Sequence, residues 1–451
     1  RRCRRQRSLR LDADAGVREA LHTQVPAHGP ESGPESKPES GPGSPAHLSG
    51  ADIAAGKTAN WAVRRLTLTD FRNYSALRLE PNPGPVVLTG ANGTGKTNLL
   101  EAVSYLAPGR GLRGARLGDV TRRDAGPGAV WAVAAVLDTP AGEVDLGTGL
   151  EPGQDSGGDS GENHGDGGND QRSGARRVVH INGQSARPGA LTEWMGSVWL
   201  TPAMDRLFCE GVGTRRRFLD RIVAGFDPGH AARTASYERV LRERARLLRE
   251  KGGYADPAWL SCLEETLAQT GIAIACARRE MAAMLNHACE RNYGPFPVPR
   301  VQATGDVETW LDEGPALNAE ERFHAALAAS RAHDAESGRT AHGPQRSDLE
   351  VEMSPSGVEA RECSTGEQKG LLISILLAVA GLIRETRGAA PLLLLDEVAA
   401  HLDNERRNAL FERLGSLGSQ AWLTGTDPVQ FKGLSGRAHF YHVADGVALA
   451  V

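Results

Sequence analysis

The chain lacks the cysteine pairs and long apolar stretches that mark metal-binding, disulfide-linked or membrane proteins. Its six cysteines are scattered along 451 residues without a C-x-x-C pair. This spacing argues against a zinc site or a disulfide framework and suits a reducing cytoplasm. The longest apolar run, 370–383, is shorter than the ~20 residues that cross a bilayer. No signal peptide is recognisable, so we expect a cytoplasmic protein without a membrane partner.

A strong overall charge is also missing. The formal net charge is −4, but residues 1–60 carry a net +2 and residues 151–171 carry six acids and no base. The remainder of the chain therefore sums to zero. Any contact with nucleic acid must come from local basic patches, because the field of the whole chain will not supply it.

Two segments have too few large apolar residues to form a core. Residues 1–60 repeat the triplet Pro-Glu-Ser and are predicted to be a disordered tail. No methionine precedes Met195, so the start given is expected to be processed or over-extended. The Gly/Asp-rich stretch within 151–175 is predicted to be a disordered loop.

A phosphate-binding loop is the most informative motif present. The pattern G-x-x-x-x-G-K-[ST] is matched in full by Gly90, Ala91, Asn92, Gly93, Thr94, Gly95, Lys96 and Thr97. An apolar run precedes it and a helix-like stretch follows, which is the strand–loop–helix context that the motif needs. Lys96 can reach the β- and γ-phosphates, and the Thr97 hydroxyl can take a Mg²⁺ position. A glycine-rich turn with a chance lysine is the alternative; we predict a nucleoside triphosphate site.

A pair of adjacent carboxylates ends a second apolar run. Asp396 and Glu397 follow the run 391–395. At the end of a strand, Asp396 can hold Mg²⁺ through water while Glu397 polarises the attacking water. A strand that merely leaves the core is the alternative. Asp396 follows Lys96 by 300 residues, so the sheet is predicted to be split by a large insertion.

A serine-glycine-glutamine signature lies 32 residues before Asp396. Ser364 with Glu367 three residues later predicts a capping box that opens an apolar helix. Such a helix N-terminus is also an anion site. The phosphate that it binds need not belong to its own subunit.

The apolar periodicity predicts an α/β protein with a helical middle. We assign 61–213 and 341–451 to the two parts of an ATPase lobe and 214–340 to a helical second lobe. Strands are predicted at 63–69, 77–79, 86–88, 130–137, 143–150, 178–181, 349–353, 391–395, 421–424 and 439–443. Helices are predicted at 218–224, 231–251, 258–291, 320–335 and 370–384.

Together these motifs resemble the ABC-type ATPases. Within that class, the chain from about residue 63 to its end resembles the RecF family of bacterial recombination and repair mediators. The segments that carry the resemblance, besides the loop, are 68–74 (LTDFRNY), 109–113 (GRGLR), 215–220 (RRRFLD), 341–349 (AHGPQRSDL) and 364–369 (STGEQK). The tail and the Gly/Asp-rich stretch depart from the family. Thr424-Gly-Thr426-Asp427 stands where transporters carry a switch histidine.

The resemblance implies an ABC-type P-loop ATPase head, a mixed sheet with helices, and an inserted, mainly helical second lobe. It also implies a head-to-tail homodimer formed on ATP, in which each phosphate loop faces the partner's signature. Glu397 and Lys96 would be catalytic, and Thr97 and Asp396 would hold Mg²⁺. Further ATP contacts would come from Arg72, Ser364, Gly366, Gln368 and Asp403.

RecF-like proteins bind DNA in an ATP-dependent way and favour the junction of single-stranded and duplex DNA at gaps. They work with RecO and RecR to help load RecA during replication, repair and the SOS response. Slow hydrolysis is expected to act as a timer. A nucleotide-gated protein scaffold without direct DNA binding is the alternative function.

Four arginines are spaced to share one helix face: Arg239, Arg242, Arg246 and Arg249. They form either a stripe that follows DNA phosphates or a solvated face partly neutralised by nearby glutamates, and the second reading is preferred. Tyr254, Trp259 and Trp310 are predicted to be core residues rather than base-stacking ones.

Overall fold

The computed structural model describes residues 60–151, 176–251, 255–291 and 294–451. Residues 1–59 of the predicted tail and nearly all of the predicted 151–175 loop lie outside these residues. The strands are, in chain order, β1 (Ala62–Phe71), β2 (Tyr74–Leu79), β3 (Val86–Thr89), β4 (Ala132–Thr139), β5 (Gly142–Glu151), β6 (Arg176–Ile181), β7 (Gln184–Ala186), β8 (Ser197–Leu200), β9 (Val298–Thr304), β10 (Asp348–Ser354), β11 (Val358–Glu359), β12 (Leu392–Leu395), β13 (Ala421–Gly425), β14 (His439–Ala444) and β15 (Val447–Ala450).

The helices are, in the same order, α1 (Lys96–Ser104), α2 (Leu191–Trp194), α3 (Val212–Ala224), α4 (His230–Lys251), α5 (Pro257–Cys289), α6 (Asp306–Glu313), α7 (Ala316–Ala329), α8 (Arg331–Ser337), α9 (Thr365–Arg387) and α10 (Asn404–Leu417). The chain divides into two compact units. The first contains the described residues up to Thr201 with Ile383–Leu402 and Leu410–Val451, and the second contains Pro202–Leu382 with Asp403–Ala409.

The first unit contains a six-stranded sheet in the order β15-β14-β3-β13-β12-β8. Every neighbouring pair is parallel except β14 with β15. All residues of β3, β12 and β13 are buried, as expected for parallel strands covered on both faces. The carboxyl ends of parallel strands share one edge. The chain segments that follow β3, β12 and β13 are therefore brought together.

A second sheet of the first unit is antiparallel, in the order β2-β1-β4-β5-β6-β7. Strands β1 and β2 mix buried with more exposed positions, as expected where one face of a sheet packs on the core. Buried Gln420, just before β13, ties this sheet to the parallel one. Its Oε1 accepts from the Val63 amide at 2.8 Å, and its Nε2 donates to the Val63 carbonyl at 3.0 Å.

The second unit is built on an antiparallel pair of long helices, α4 and α5. Asp256 accepts from the amide of Ala258 at 2.9 Å and Pro257 occupies the first turn, so α5 restarts where the Asp-Pro pair predicted. Tyr237, Leu267 and Phe323 belong to the core cluster of this unit. A three-stranded antiparallel sheet, β11-β10-β9, completes it.

Charged side chains are buried inside the helical unit. Arg244 is fully buried and bonds Glu264 at 3.0 Å and Asp334 at 2.7 Å. Arg331 reaches the other oxygen of Glu264 at 2.5 Å. This network joins α4, α5 and α8, and a buried carboxylate is tolerated there because it is paired.

Two segments quoted for the family resemblance meet in the second unit. Arg215 belongs to 215–220 and Asp348 to 341–349. Arg215 donates two hydrogen bonds to the Asp348 carboxylate, at 2.8 and 2.6 Å. Arg278 of α5 binds both oxygens of Asp220 at 2.8 Å and donates to the Pro344 carbonyl at 2.6 Å. These residues therefore have a structural role in joining α3, α5 and the start of β10.

Several sequence predictions need correction. The single helix at 320–335 is two helices broken at Ser330. The Ser330 hydroxyl donates to the Leu327 carbonyl at 3.2 Å and so competes with helix continuation. Helix α9 begins at Thr365 rather than at 370. Trp259 is 50% exposed and is not a core residue. Trp310 packs partly buried against the core cluster, and Tyr254 lies outside the described residues.

The predicted lobe boundaries at 213/214 and 340/341 differ from the compact units, whose divisions fall at 201/202 and 382/383 with a short exchange at 403–409. As a functional division, the lobes stay a prediction. Among the described residues, α9 is long and apolar enough to cross a membrane by length and composition. Most of its apolar stretch is buried inside the protein, which is also typical of a core helix.

Candidate functional site

The phosphate loop joins β3 to α1 through glycines in left-handed conformations. Gly90, Gly93 and Gly95 have φ of 150°, 82° and 109°, which side chains rarely adopt. A Cβ at Gly90 would collide with the Val443 carbonyl. Among the described residues, no side chain caps the start of α1. Its first amide groups are therefore available to an anion.

Residues where β1 connects to β2 form hydrogen bonds with this loop. Tyr74 donates its hydroxyl to the Gly95 carbonyl at 3.1 Å, and Asn73 Nδ2 donates to the Thr94 carbonyl at 3.1 Å. A Cβ at Gly95 would lie 2.5 Å from Asn73 Nδ2. Two carbonyls of the loop are thereby held on the side of the β1–β2 turn.

Arg72 is engaged with protein groups. Its Nε and Nη2 bind the fully buried carboxylate of Glu101 at 2.8 and 2.6 Å, and its Nη1 donates to the Asp119 carbonyl at 2.7 Å. Arg113 reaches the same carboxylate at 2.8 Å. Glu101 therefore joins α1 to two neighbouring loops. The predicted contact between Arg72 and ATP stays a prediction.

Lys96 lies inside the loop. Its Nζ donates to the carbonyls of Gly90 and Ala91 at 2.8 and 2.7 Å, and the residue is only 5% exposed. Burial lowers the pKa of Lys96, while the carboxylates of Glu397 and Asp396 oppose that shift. The ammonium is thus held by the first two residues of the loop, near the predicted carboxylate pair.

Asp396 meets the phosphate loop directly. Its Oδ1 accepts from the Thr97 hydroxyl at 2.9 Å, across 299 residues of chain. The same oxygen accepts from the Thr424 hydroxyl at 2.7 Å. A hydroxyl beside a carboxylate is the oxygen ligand set that Mg²⁺ takes in phosphate sites, so Thr97 and Asp396 fit the metal. Glu397 follows with a φ of 50°, which turns the chain sharply after the strand.

The signature residues belong to the second unit and form the predicted capping box. Ser364 donates its amide and its hydroxyl to Glu367 Oε2 at 2.8 and 2.7 Å, and the Glu367 amide donates to Ser364 Oγ at 3.4 Å. These bonds lower the pKa of Glu367. Gln368 is buried and donates to the Cys363 carbonyl at 2.9 Å.

Asp403 caps the next helix, α10, by accepting from the Arg406 amide at 2.8 Å. Arg406 also donates to the Gly366 carbonyl at 3.5 Å, which links the signature to Asp403. The predicted site residues therefore fall into two groups in the structure. The phosphate loop and carboxylate pair lie in the first unit, and Ser364, Gly366, Gln368 and Asp403 lie in the second.

Comparisons with known proteins identify the family of the chain. A family model described as RecF/RecN/SMC N terminal domain matches residues 62–447. The DNA replication and repair protein RecF of Mesorhizobium japonicum is 47% identical over 387 residues, which cover 85% of this chain and 96% of that protein. RecF of Rhizobium etli strain CIAT 652 is 46% identical over 388 residues, 85% of this chain and 98% of that protein. The chain belongs to the RecF family.

Solved RecF structures share the fold. The recombination mediator protein RecF-ATPrS in the RecFOR pathway superposes with a TM-score of 0.72 at 20% identity, over 87% of this chain and 99% of that one. RecF-ATP in the same pathway gives 0.69 at 21% identity, over 87% and 100%. The predicted RecF resemblance is confirmed. So is the predicted fold class, an α/β ABC-type head with mixed sheets and helices.

Sequence reasoning missed four residues at this RecF-family site. Asn73 and Tyr74 lie within the quoted segment 68–74, of which only Arg72 received a role. Thr424 lies in the segment noted for its missing histidine. Nothing in the sequence beyond its position on α1 indicated a role for Glu101, because its two arginine partners come from loops on either side of that helix.

Proposed function

We propose that this RecF-family chain is an ATP-dependent DNA-binding protein of DNA replication and recombinational repair, which works as an ATP-driven homodimer. The observation that supports this best is the 2.9 Å bond between Thr97 and Asp396. It joins the two predicted nucleotide motifs at one edge of a parallel sheet, where ligands bind in such folds.

Each residue at this edge has a role in phosphoryl chemistry. The loop amides and the start of α1 bind the phosphates, and the Lys96 ammonium neutralises their charge. Thr97 and Asp396 would hold Mg²⁺, which when bound neutralises charge on the β- and γ-phosphate oxygens. Glu397 orients a water and accepts its proton. Hydrolysis is slow and acts as a switch.

The dimer would be completed by the signature of a second copy. Ser364 is exposed at the start of the 23-residue helix α9, whose dipole favours an anion. Gly366 carries no side chain to cover that end. Ser364, Gly366 and Gln368, with Asp403 beside them, would bind the γ-phosphate held by the partner's loop. Loss of that phosphate removes the bridging group and opens the dimer.

The DNA partner follows from the family. Relatives are named DNA replication and repair protein RecF. We infer that this chain recognises gapped DNA at single-strand–duplex junctions and helps RecO and RecR load RecA in the cytoplasm, including in the SOS response. The arginine stripe on α4 (Arg239, Arg242, Arg246 and Arg249) is exposed. Among the described ion pairs, one links this stripe to a glutamate: Arg242 lies 3.9 Å from Glu238.

Two measurements test this function. Light scattering with ATP, with ADP and without nucleotide should show a doubled mass only with ATP and Mg²⁺; a monomer at saturating ATP with duplex present contradicts the proposal. Duplex affinity across a salt series should then fall steeply, since cationic side chains release counterions from phosphates. A protein scaffold would show no duplex affinity in either nucleotide state.

A further inference from the structure

Thr424 lies between the two nucleotide motifs, at the end of β13. That strand is hydrogen-bonded to β12 on one side and to β3 on the other. Strand β12 leads into the carboxylate pair, and β3 leads into the phosphate loop. The residue is fully buried. Its side chain is therefore fixed relative to both motifs by the sheet itself.

The Thr424 hydroxyl connects both carboxylate residues at once. It donates to Asp396 Oδ1 at 2.7 Å and accepts from the Glu397 amide at 2.8 Å. Since a hydroxyl has one proton, donation to Asp396 sets its orientation, and a lone pair then faces the Glu397 amide. Asp396 Oδ1 receives the Thr97 hydroxyl as well, which leaves Oδ2 as the oxygen for a further ligand.

The second bond acts on the backbone at Glu397. That residue has a φ of 50°, a left-handed conformation that non-glycine residues adopt only when surrounding contacts impose it. The hydrogen bond to its amide is such a contact. The Thr424 hydroxyl therefore helps to fix the direction in which the Glu397 side chain leaves the backbone.

The next polar residues of the segment do not share this role. Asp427 accepts from the Val429 amide at 2.8 Å and caps the following turn, and Thr426 is exposed. We propose that Thr424 is a positioning residue for ATP hydrolysis: one hydroxyl orients the metal-holding Asp396 and the water-activating Glu397. This inference rests on the proposed ATPase function. The inference assigns Thr424 no direct contact with the nucleotide.

The test compares Thr424→Val, which keeps the shape and removes the hydroxyl, with Thr424→Ser, which keeps the hydroxyl. Thr139→Val is the matched control. Thr139 is a buried threonine of the same unit whose hydroxyl also donates once, to Gly142 at 2.7 Å, and accepts once, from Ala141 at 3.1 Å. It touches no carboxylate through these bonds.

Two quantities are measured for each variant: steady-state ATP hydrolysis, and the Kd of a fluorescent ATP analogue with Mg²⁺ and with EDTA. For Thr424→Val we expect kcat to fall about 10–100-fold, as when a partner that orients a metal ligand is removed. The tightening of binding by Mg²⁺ should weaken by a similar factor, while the Kd in EDTA stays unchanged. Thr424→Ser and Thr139→Val should remain within a few-fold of the parent chain.

Thermal unfolding of every variant shows whether it is folded. If Thr424→Val does not fold, Thr424→Ala, which adds no methyl group beside the carboxylate, must show the same losses. A folded Thr424→Val or Thr424→Ala with the parent's kcat and Mg²⁺ effect overturns the inference, and so does a serine variant that restores neither. If the parent chain itself binds no ATP, the proposed function fails and the inference with it. If the parent binds ATP and only the Thr424 variants behave unexpectedly, the inference fails while the proposed function stands.

Discussion

Ser364 offers the sharpest test of a γ-phosphate shared between two copies, because it has a capping role that can be separated from a phosphate-binding one. Ser364→Arg fills the exposed start of α9 and removes the cap hydroxyl. Glu367→Ala breaks the same capping box from its other member but leaves Ser364 and the helix start uncovered. The two variants therefore share the loss of a cap and differ in access to the helix N-terminus.

The expected magnitudes follow from the bonds. Losing a helix cap costs about 1 kcal/mol, and the Ser364 hydroxyl contact with the Glu367 amide is long, at 3.4 Å. Both variants should therefore fold. A hydrogen bond to a charged group contributes about 1.5–3 kcal/mol. A symmetric dimer contains two such sites, so Ser364→Arg should lose roughly 3–6 kcal/mol, or about 10²–10⁴-fold in dimer affinity.

The assay is light scattering over a concentration series with ATP and Mg²⁺, in a Glu397→Gln background that prevents hydrolysis. Glu367→Ala should dimerise within a few-fold of the parent concentration, whereas Ser364→Arg should stay monomeric while still binding ATP. Dimers of Ser364→Arg at the parent midpoint would refute the shared site. Equal loss in both variants would assign the effect to the helix cap instead.

Three further predictions concern other groups. Lys96→Ala should weaken ATP binding at least ~30-fold, since a charge-assisted contact with phosphate is removed. Calorimetric titration measures the ATP affinity, and retained tight binding would count against the assigned phosphate loop. Glu397→Gln should keep ATP affinity but accumulate a persistent dimer, visible as a higher-mass species on size exclusion. A dimer that decays as fast as the parent's would contradict the role of Glu397 in hydrolysis. Burial opposes ionisation of Asp220, yet hydrogen bonds from His230 and Arg278 hold the pKa of this carboxyl below its ordinary value. Its stabilisation is present above the unfolded pKa of about 3.9 and is lost as pH falls through the folded pKa, which lies lower. Asp220→Asn should therefore flatten the urea-midpoint profile below about pH 4. An unchanged profile would show that Asp220 does not drive acid unfolding.

The sequence predicted the long and strongly periodic elements better than the short ones. Helices α4 and α5 begin and end within two residues of their predicted bounds. Strand β8, only four residues long, was missed because so short an apolar run has no usable period. The equally short β3 and β12 were predicted because each leads into a recognisable motif. Trp259 was predicted to be a core residue rather than a base-stacking one, but it stands one position before buried Leu260 on a helix that buries a single face.

What the sequence determined by itself is the chemistry of its contiguous motifs. The phosphate loop and the Ser364–Glu367 capping box are each set by residues a few positions apart, and local spacing is enough to predict the backbone groups and side chains that they present. Only the tertiary structure decided which distant residues join them. Thr97 meets Asp396 across 299 residues and Thr424 meets Asp396 from the next strand, because sheet order and register, which no short pattern records, place these strand ends at one edge.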